Sequence, residues 1–222
     1  MIIDNPFINA IFNVLIPSFI IFAFSGENYL GPNFSFLIAL IFPLLYGIYY
    51  LLRKSKWNLF SLIGILSVLL TGGFGLFEFD SGWLIAKETG IPLIFGIIII
   101  FSQVFNKPFM RIMLNQILDT DKIILDYKKN SKEKLFYKHV NLANLLFGIT
   151  FFIGSLLNFL LSTFILRSPP GTTEYAREVG KMSALAFPAI VLPVMVFMFC
   201  IFTMIALLIE KNTGKLINDY MN

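Results

Sequence analysis

A chain of 222 residues that is 57% hydrophobic, only 14% charged and of formal net charge +4 lies far below the roughly 25% charged residues of a soluble domain. Most of it must sit in a medium that does not reward charge, which excludes an ordinary soluble domain. One cysteine, Cys200, excludes an internal disulfide.

Crossing a bilayer core takes roughly 17–25 apolar residues per helix. Six stretches fit: Phe7–Ser25, Phe34–Leu52, Leu59–Phe77, Leu84–Phe105, Val140–Leu166 and Lys181–Ile209. They are too long for strands and lack the alternation of a barrel. The start, MIIDNPF, lacks the basic residues of a cleaved leader, so the first stretch is expected to be a retained span. The predicted fold is all-α: a polytopic membrane protein, one domain of six transmembrane helices, with a cytoplasmic amphipathic segment.

In chain order, Asn9 and Asn13 share a face of the first span. Gly64, Ser67, Thr71 and Gly75 share one in the third, and Gly96 and Gln103 stand seven apart in the fourth. Pro17, Pro43, Pro92, Pro188 and Pro193 fall inside spans. They read either as broken helices around a transport site or as packing devices whose freed carbonyls neighbours satisfy. The charges nearest the outer boundary are Glu78, Asp80, Lys87, Glu88 and Lys181. Snorkelling explains them, and a functional role is the alternative. Lys87 has Glu78 and Asp80 as candidate partners across the short loop.

Cations set orientation. Thirteen of the 17 Lys/Arg fall on one side: Arg53, Lys54, Lys56, eight from Lys107 to Lys138, and Lys211 and Lys215. Lys87, Arg167, Arg177 and Lys181 fall on the other. The split predicts that both termini are cytoplasmic, which six spans require. The cytoplasmic loop, residues 106–139, begins with an apolar stripe of Met110, Met113, Leu114 and Ile117, the pattern of a helix lying on a membrane surface. Lys107, Arg111, Lys128 and Lys129 form its cytoplasmic surface, and YKKNSKEK reads as a basic solvated loop that anionic headgroups would attract.

The fifth span carries the most informative pattern. Asn141, Asn144, Gly148, Phe151, Ser155, Asn158 and Ser162 recur at steps of three and four, on one helix face. Small and hydrogen-bonding residues in a stripe are how membrane helices meet; the wall of a polar cavity is the alternative. Asn9, Asn13, Gln103, Asn141, Asn144, Ser155 and Asn158 form the candidate polar interior. His139 is the lone histidine, at a cytoplasmic boundary. No phosphate loop, metalloprotease motif, nucleophile elbow or dinucleotide fingerprint is present. No catalytic residue, metal, cofactor or nucleic-acid partner is expected.

Gly75-Leu76-Phe77, Lys87, Thr89, Phe95, Ser102-Gln103, Lys107-Pro108, Arg111 and Met113-Leu114, followed by Asn141, Leu142, Ala143, Phe152, Gly154 and Asn158, resemble the bacterial intracellular septation protein A family. The segment EYAREVGK keeps Lys181 without the aromatic frame usual in that family. The resemblance implies a non-enzymatic protein of the inner membrane. Such a protein would support cell-envelope maintenance or septation through contacts with other inner-membrane envelope or division proteins. The lipid bilayer is the expected surrounding, and a homo-oligomer is a further option. The alternative is a small transporter or lipid-handling protein with a polar path between helices.

Overall fold

The computed structural model describes residues 15–54 and 77–221, together with positions 11, 70 and 73. The elements are α1 (Ile16–Phe24), α2 (Gly31–Lys54), α3 (Ser81–Ser102), α4 (Phe109–Ile117), α5 (Thr120–Lys129), α6 (Glu133–Ile165), α7 (Thr173–Ala186) and α8 (Leu192–Thr213). A π turn, Phe187–Val191, joins α7 to α8, and a 3-10 turn, Ile217–Tyr220, follows α8. Among the described residues β pairing is confined to an isolated bridge between Leu118 and Met221.

Among the described residues, four helices are long and apolar enough to cross a bilayer: Gly31–Tyr49, Ser81–Ser102, Glu133–Ile165 and Thr173–Thr213. They fall on the second, fourth, fifth and sixth expected spans. The first is described at position 11 and from residue 15 onward. Nearly all of the third lies outside the described residues, with Gly64, Ser67, Thr71 and Gly75. Pro43 and Pro92 lie inside α2 and α3. Pro188 lies in the π turn, where its missing N–H breaks the regular ladder.

The segment expected as a basic solvated loop, YKKNSKEK, is a loop only over residues 130–132; helix occupies both of its ends. Asp119 caps α5 by accepting from the Lys122 N–H at 3.0 Å. Asp121 sits in the first turn of α5, and Lys128 and Lys129 sit in its last, matching the helix dipole at both ends. Only residues 130–132 separate α5 from α6. The lysines are solvated, as the composition suggests, but the backbone beneath them is ordered.

The chain forms two compact units, Met1–Glu88 with Asn158–Ala189 and Thr89–Leu157 with Ile190–Asn222. In the first, α1 packs on α2 and α7. Its buried core includes Ile21, Phe36, Leu84, Tyr175 and Val179. A Cβ at Gly180 would stand 2.8 Å from the Phe22 amide nitrogen and 3.0 Å from the Ser18 carbonyl oxygen. The absence of a side chain there is what lets α1 and α7 touch. The turn before α7 is tied by Glu178, whose carboxylate accepts from the Arg167 and Ser168 amides, each at 2.9 Å, and from the Ser168 hydroxyl at 2.8 Å.

In the second unit, α3 and α6 cross at Gly96 and Gly148. A Cβ on Gly96 would lie 3.1 Å from the Gly148 carbonyl oxygen, and one on Gly148 would lie 3.2 Å from the Gly96 carbonyl oxygen and inside the Ile100 side chain. This backbone approach is the small-residue mode of membrane-helix packing. The same unit holds a core of Met110, Leu114, Ile123, Tyr127, Phe136 and Tyr220, among others. Met110 and Leu114 are buried and Met113 packs against them, so the α4 stripe faces protein. The expectation that this stripe lies on a membrane surface is thereby corrected: neighbouring helices cover it, leaving Ile112 and Ile117 as the half-exposed apolar residues of α4.

Replacing Gly148 with Val forces the crossing apart. Unfolding in detergent should show a loss of about 1–3 kcal/mol, the usual cost of overpacking. Gly90→Ala is the control, because nothing lies within 4 Å of its added methyl. Equal stability of the two variants would contradict the close crossing.

Candidate functional site

The buried stripe of α6 acts on the backbone of α3. The Asn144 amide donates to the Ile99 carbonyl oxygen at 2.7 Å, and the Ser155 hydroxyl donates to the Thr89 carbonyl oxygen at 2.8 Å. Gly148 meets Gly96 between these two bonds. The contacts run down α3 as they run up α6, so the two segments are antiparallel. Phe95 and Phe147 each bring a ring against Phe151 beside the crossing.

Asn144 does a second thing. Its side-chain oxygen accepts the Met110 N–H at 3.0 Å. Ser102, at the end of α3, accepts the Phe109 N–H at 3.0 Å and donates to the Ile99 carbonyl oxygen. The first amides of a helix have no partner inside it, and α4 has no side-chain cap of its own. Asn144 and Ser102 supply those acceptors. One fully buried carboxamide therefore joins the end of α3, the start of α4 and the middle of α6.

A second polar knot closes the chain. Gly214, at φ 73°, ends α8 in the left-handed conformation that glycine adopts freely, and the tail turns back. Asp126, 5% exposed, accepts from Lys215 at 2.6 Å, Lys129 at 3.0 Å and the Tyr220 hydroxyl at 3.0 Å. The Asp119 amide donates to the Tyr220 carbonyl oxygen at 2.7 Å, and Lys122 donates to the Asp219 carbonyl oxygen at 2.7 Å. Tyr127 is fully buried and donates its hydroxyl to the Leu208 carbonyl oxygen at 3.0 Å; burial pushes that phenol up to about 12. Asn130 donates to the Asn212 carbonyl oxygen at 2.9 Å. The hydrogen bond from Lys215, with those from Lys129 and Tyr220, holds the Asp126 carboxyl well below the usual carboxylate range. The same bond raises Lys215.

Of the expected interior residues, Asn144 and Ser155 are buried in the second unit. Asn158 belongs to the first unit and is half-buried. Gln103 lies in the turn after α3, with its side-chain oxygen buried and without a hydrogen-bond partner among the described residues. Asn9 and Asn13 lie outside the described residues. Asn141 is exposed, which corrects its place in the interior. At that level Phe136, Val140, Ala143 and Phe147 centre the buried face, and Asn141 is turned about 100° from Val140.

Among the outer-boundary charges, Asp80 accepts from the Gly82 N–H at 2.8 Å and so caps α3. Glu78 lies over Gly171. The Lys87 side chain, only 6% exposed, meets Glu88 at 2.7 Å. Lys181 is exposed. On the expected cytoplasmic surface Lys107, Lys128 and Lys129 are exposed, and Arg111 lies 5.6 Å from the Tyr137 ring centre. Sequence reasoning missed Asp126, Lys215, Tyr220 and Glu178. Asp126 left a signal: Ile123, Asp126, Tyr127 and Asn130 follow the i, i+3, i+4, i+7 rule, which puts a carboxylate on an inward face.

Asn144→Leu removes one acceptor and one donor from buried backbone groups. Each group left unpaired costs about 1–3 kcal/mol, so unfolding in detergent should show a loss of that order. Asn158→Leu should cost only about 0.6 kcal/mol, the mean for interhelical bonds in membranes. The reverse ranking would refute the assignment of Asn144 as the junction.

The tail clasp has a defined pH window. Asp126 is depressed in the fold, so its stabilisation is complete above its ordinary value of 3.8 and is lost as pH falls through the lowered value. Lys215 is raised, so its contribution is complete below 10.5 and is lost as pH rises through the raised value. Amide exchange of residues 216–220 should stay slow from about pH 4 to 10 after correction for the intrinsic rate. Opening of the tail at pH 5 would be incompatible with a depressed Asp126.

Comparison with protein-family models, with curated proteins and with solved structures finds no match for the chain. The resemblance to the septation family therefore stands on its motif residues alone.

Proposed function

We propose that this is a non-enzymatic, multi-pass protein of the bacterial inner membrane, with both termini cytoplasmic. It would support envelope maintenance or septation by contacting other membrane proteins. The observation that carries this reading is the use made of the α6 stripe. Asn144 and Ser155 hold the α3 backbone and the start of α4, so these two polar groups serve helix packing. Large apolar residues such as Val196 and Phe199 remain exposed on α8, available to lipid or to a neighbouring helix. The motif residues around Ser102 fall at the junction Asn144 makes, which supports reading that motif as structural.

A second reading, a small transporter or lipid-handling protein, draws on Gln103, whose buried side-chain oxygen lacks a hydrogen-bond partner among the described residues.

The test is affinity capture of the full chain, tagged after Asn222, in mild detergent with quantitative mass spectrometry. The control is an unrelated multi-pass protein tagged in the same way. Envelope-synthesis or division proteins should be enriched over the control, and Gly148→Val should abolish the enrichment. Absence of enrichment, together with solute or lipid movement in proteoliposomes, would favour the second reading.

A further inference from the structure

The turn between α5 and α6 forms a concavity of about 620 Å³ lined by Lys128, Ser131, Lys132, Glu133, Lys134 and Lys138. Four lysines and one glutamate line it. Among the described residues none of the four lysines makes an ion pair. Asp126, the nearest other acid on α5, is held by Lys129, Lys215 and Tyr220, so it does not offset them. The patch carries an excess of positive charge, four lysines against Glu133.

Its depth follows from α6. That helix has 33 residues, about 50 Å at 1.5 Å per residue, whereas a bilayer core is about 30 Å thick. One end must project beyond the hydrocarbon, and the charged end is Glu133 to His139. The apolar run begins at Val140, two residues past Lys138 and about 9 Å past Lys134. Headgroup regions extend roughly 5–8 Å beyond the core on each side. Lys138 therefore stands within the headgroup layer and Lys134 at its outer edge.

We propose that this concavity docks the headgroup of an anionic phospholipid from the surrounding leaflet, with the lysine ammonium groups around its phosphate. The fit is one of charge: a negative phosphate meets a concavity whose lining holds four lysines and one glutamate. The docking holds α5 and the start of α6 against the membrane surface. It does not depend on which proteins the chain contacts.

The full chain, purified in mild detergent, is titrated with phosphatidylglycerol or with phosphatidylcholine of the same acyl chains, and bound lipid is counted by native mass spectrometry. The unmodified protein should prefer phosphatidylglycerol by about tenfold. Lys128→Gln with Lys132→Gln, Lys134→Gln and Lys138→Gln should erase that preference. The matching Lys→Arg variant should keep it, because the charge is kept. A control with Arg53, Lys54, Lys56 and Lys107 each changed to Gln should also keep it. The proposal is overturned if the Gln variant keeps the preference, if the Arg variant loses it, or if the control loses it equally. Displacement of bound phosphatidylglycerol by an equal concentration of inorganic phosphate would also overturn it, since the site would then bind free phosphate.

Discussion

Two side-chain hydrogen bonds to the α3 backbone, from Asn144 to Ile99 and from Ser155 to Thr89, bracket the one place where α3 and α6 approach at glycines. Lipid tails are as apolar as leucine, so hydrophobicity cannot drive such a pair together. Close approach and interhelical hydrogen bonds can. The stripe of α6 supplies both, and its steps of three and four keep the groups in line along the contact. Asn144 adds a third duty by accepting from Met110, so the helix after the span is hung on the same carboxamide that aligns the span.

Beyond that junction the physics changes. The packing of α4, α5 and the C-terminal turn resembles a small water-soluble core, with Tyr127, Phe136 and Tyr220 buried together. Burying such large side chains is worth about 1.5–3 kcal/mol each where water is the alternative. The Asp126 clasp fixes where the tail lies on that core. One chain thus uses two methods: small residues and amides among apolar helices, and aromatic burial with ion pairing at the charged end.

Four of the spans and the buried middle of the α6 stripe are readable from sequence because length and periodicity encode them directly. The direction of the α4 stripe is not. Met110 and Leu114 form the same pattern whether lipid or protein covers them, and only the fold supplies Ile123, Tyr127 and Phe136 as the cover. Asn141 fails for a related reason. A stripe drawn by residue type assumes that one face stays buried along the whole helix, yet at its start the buried face centres on Val140 and Ala143. The clasp joins Asp126 to Lys215 and Tyr220, 89 and 94 residues away, and no local spacing announces such a pairing. Asp126 on the inward face of α5 was the available hint.

The central claim is that Asn144 and Ser102 stand in for the missing first-turn acceptors of α4. Site-resolved amide hydrogen exchange at Phe109 and Met110, in the unmodified protein, reads this directly. Both amides would exchange freely if α4 were simply frayed at its start. The account predicts protection at both positions comparable to that at Leu114, within the helix. Exchange at unprotected rates at Phe109 and Met110, with Leu114 still protected, would contradict it.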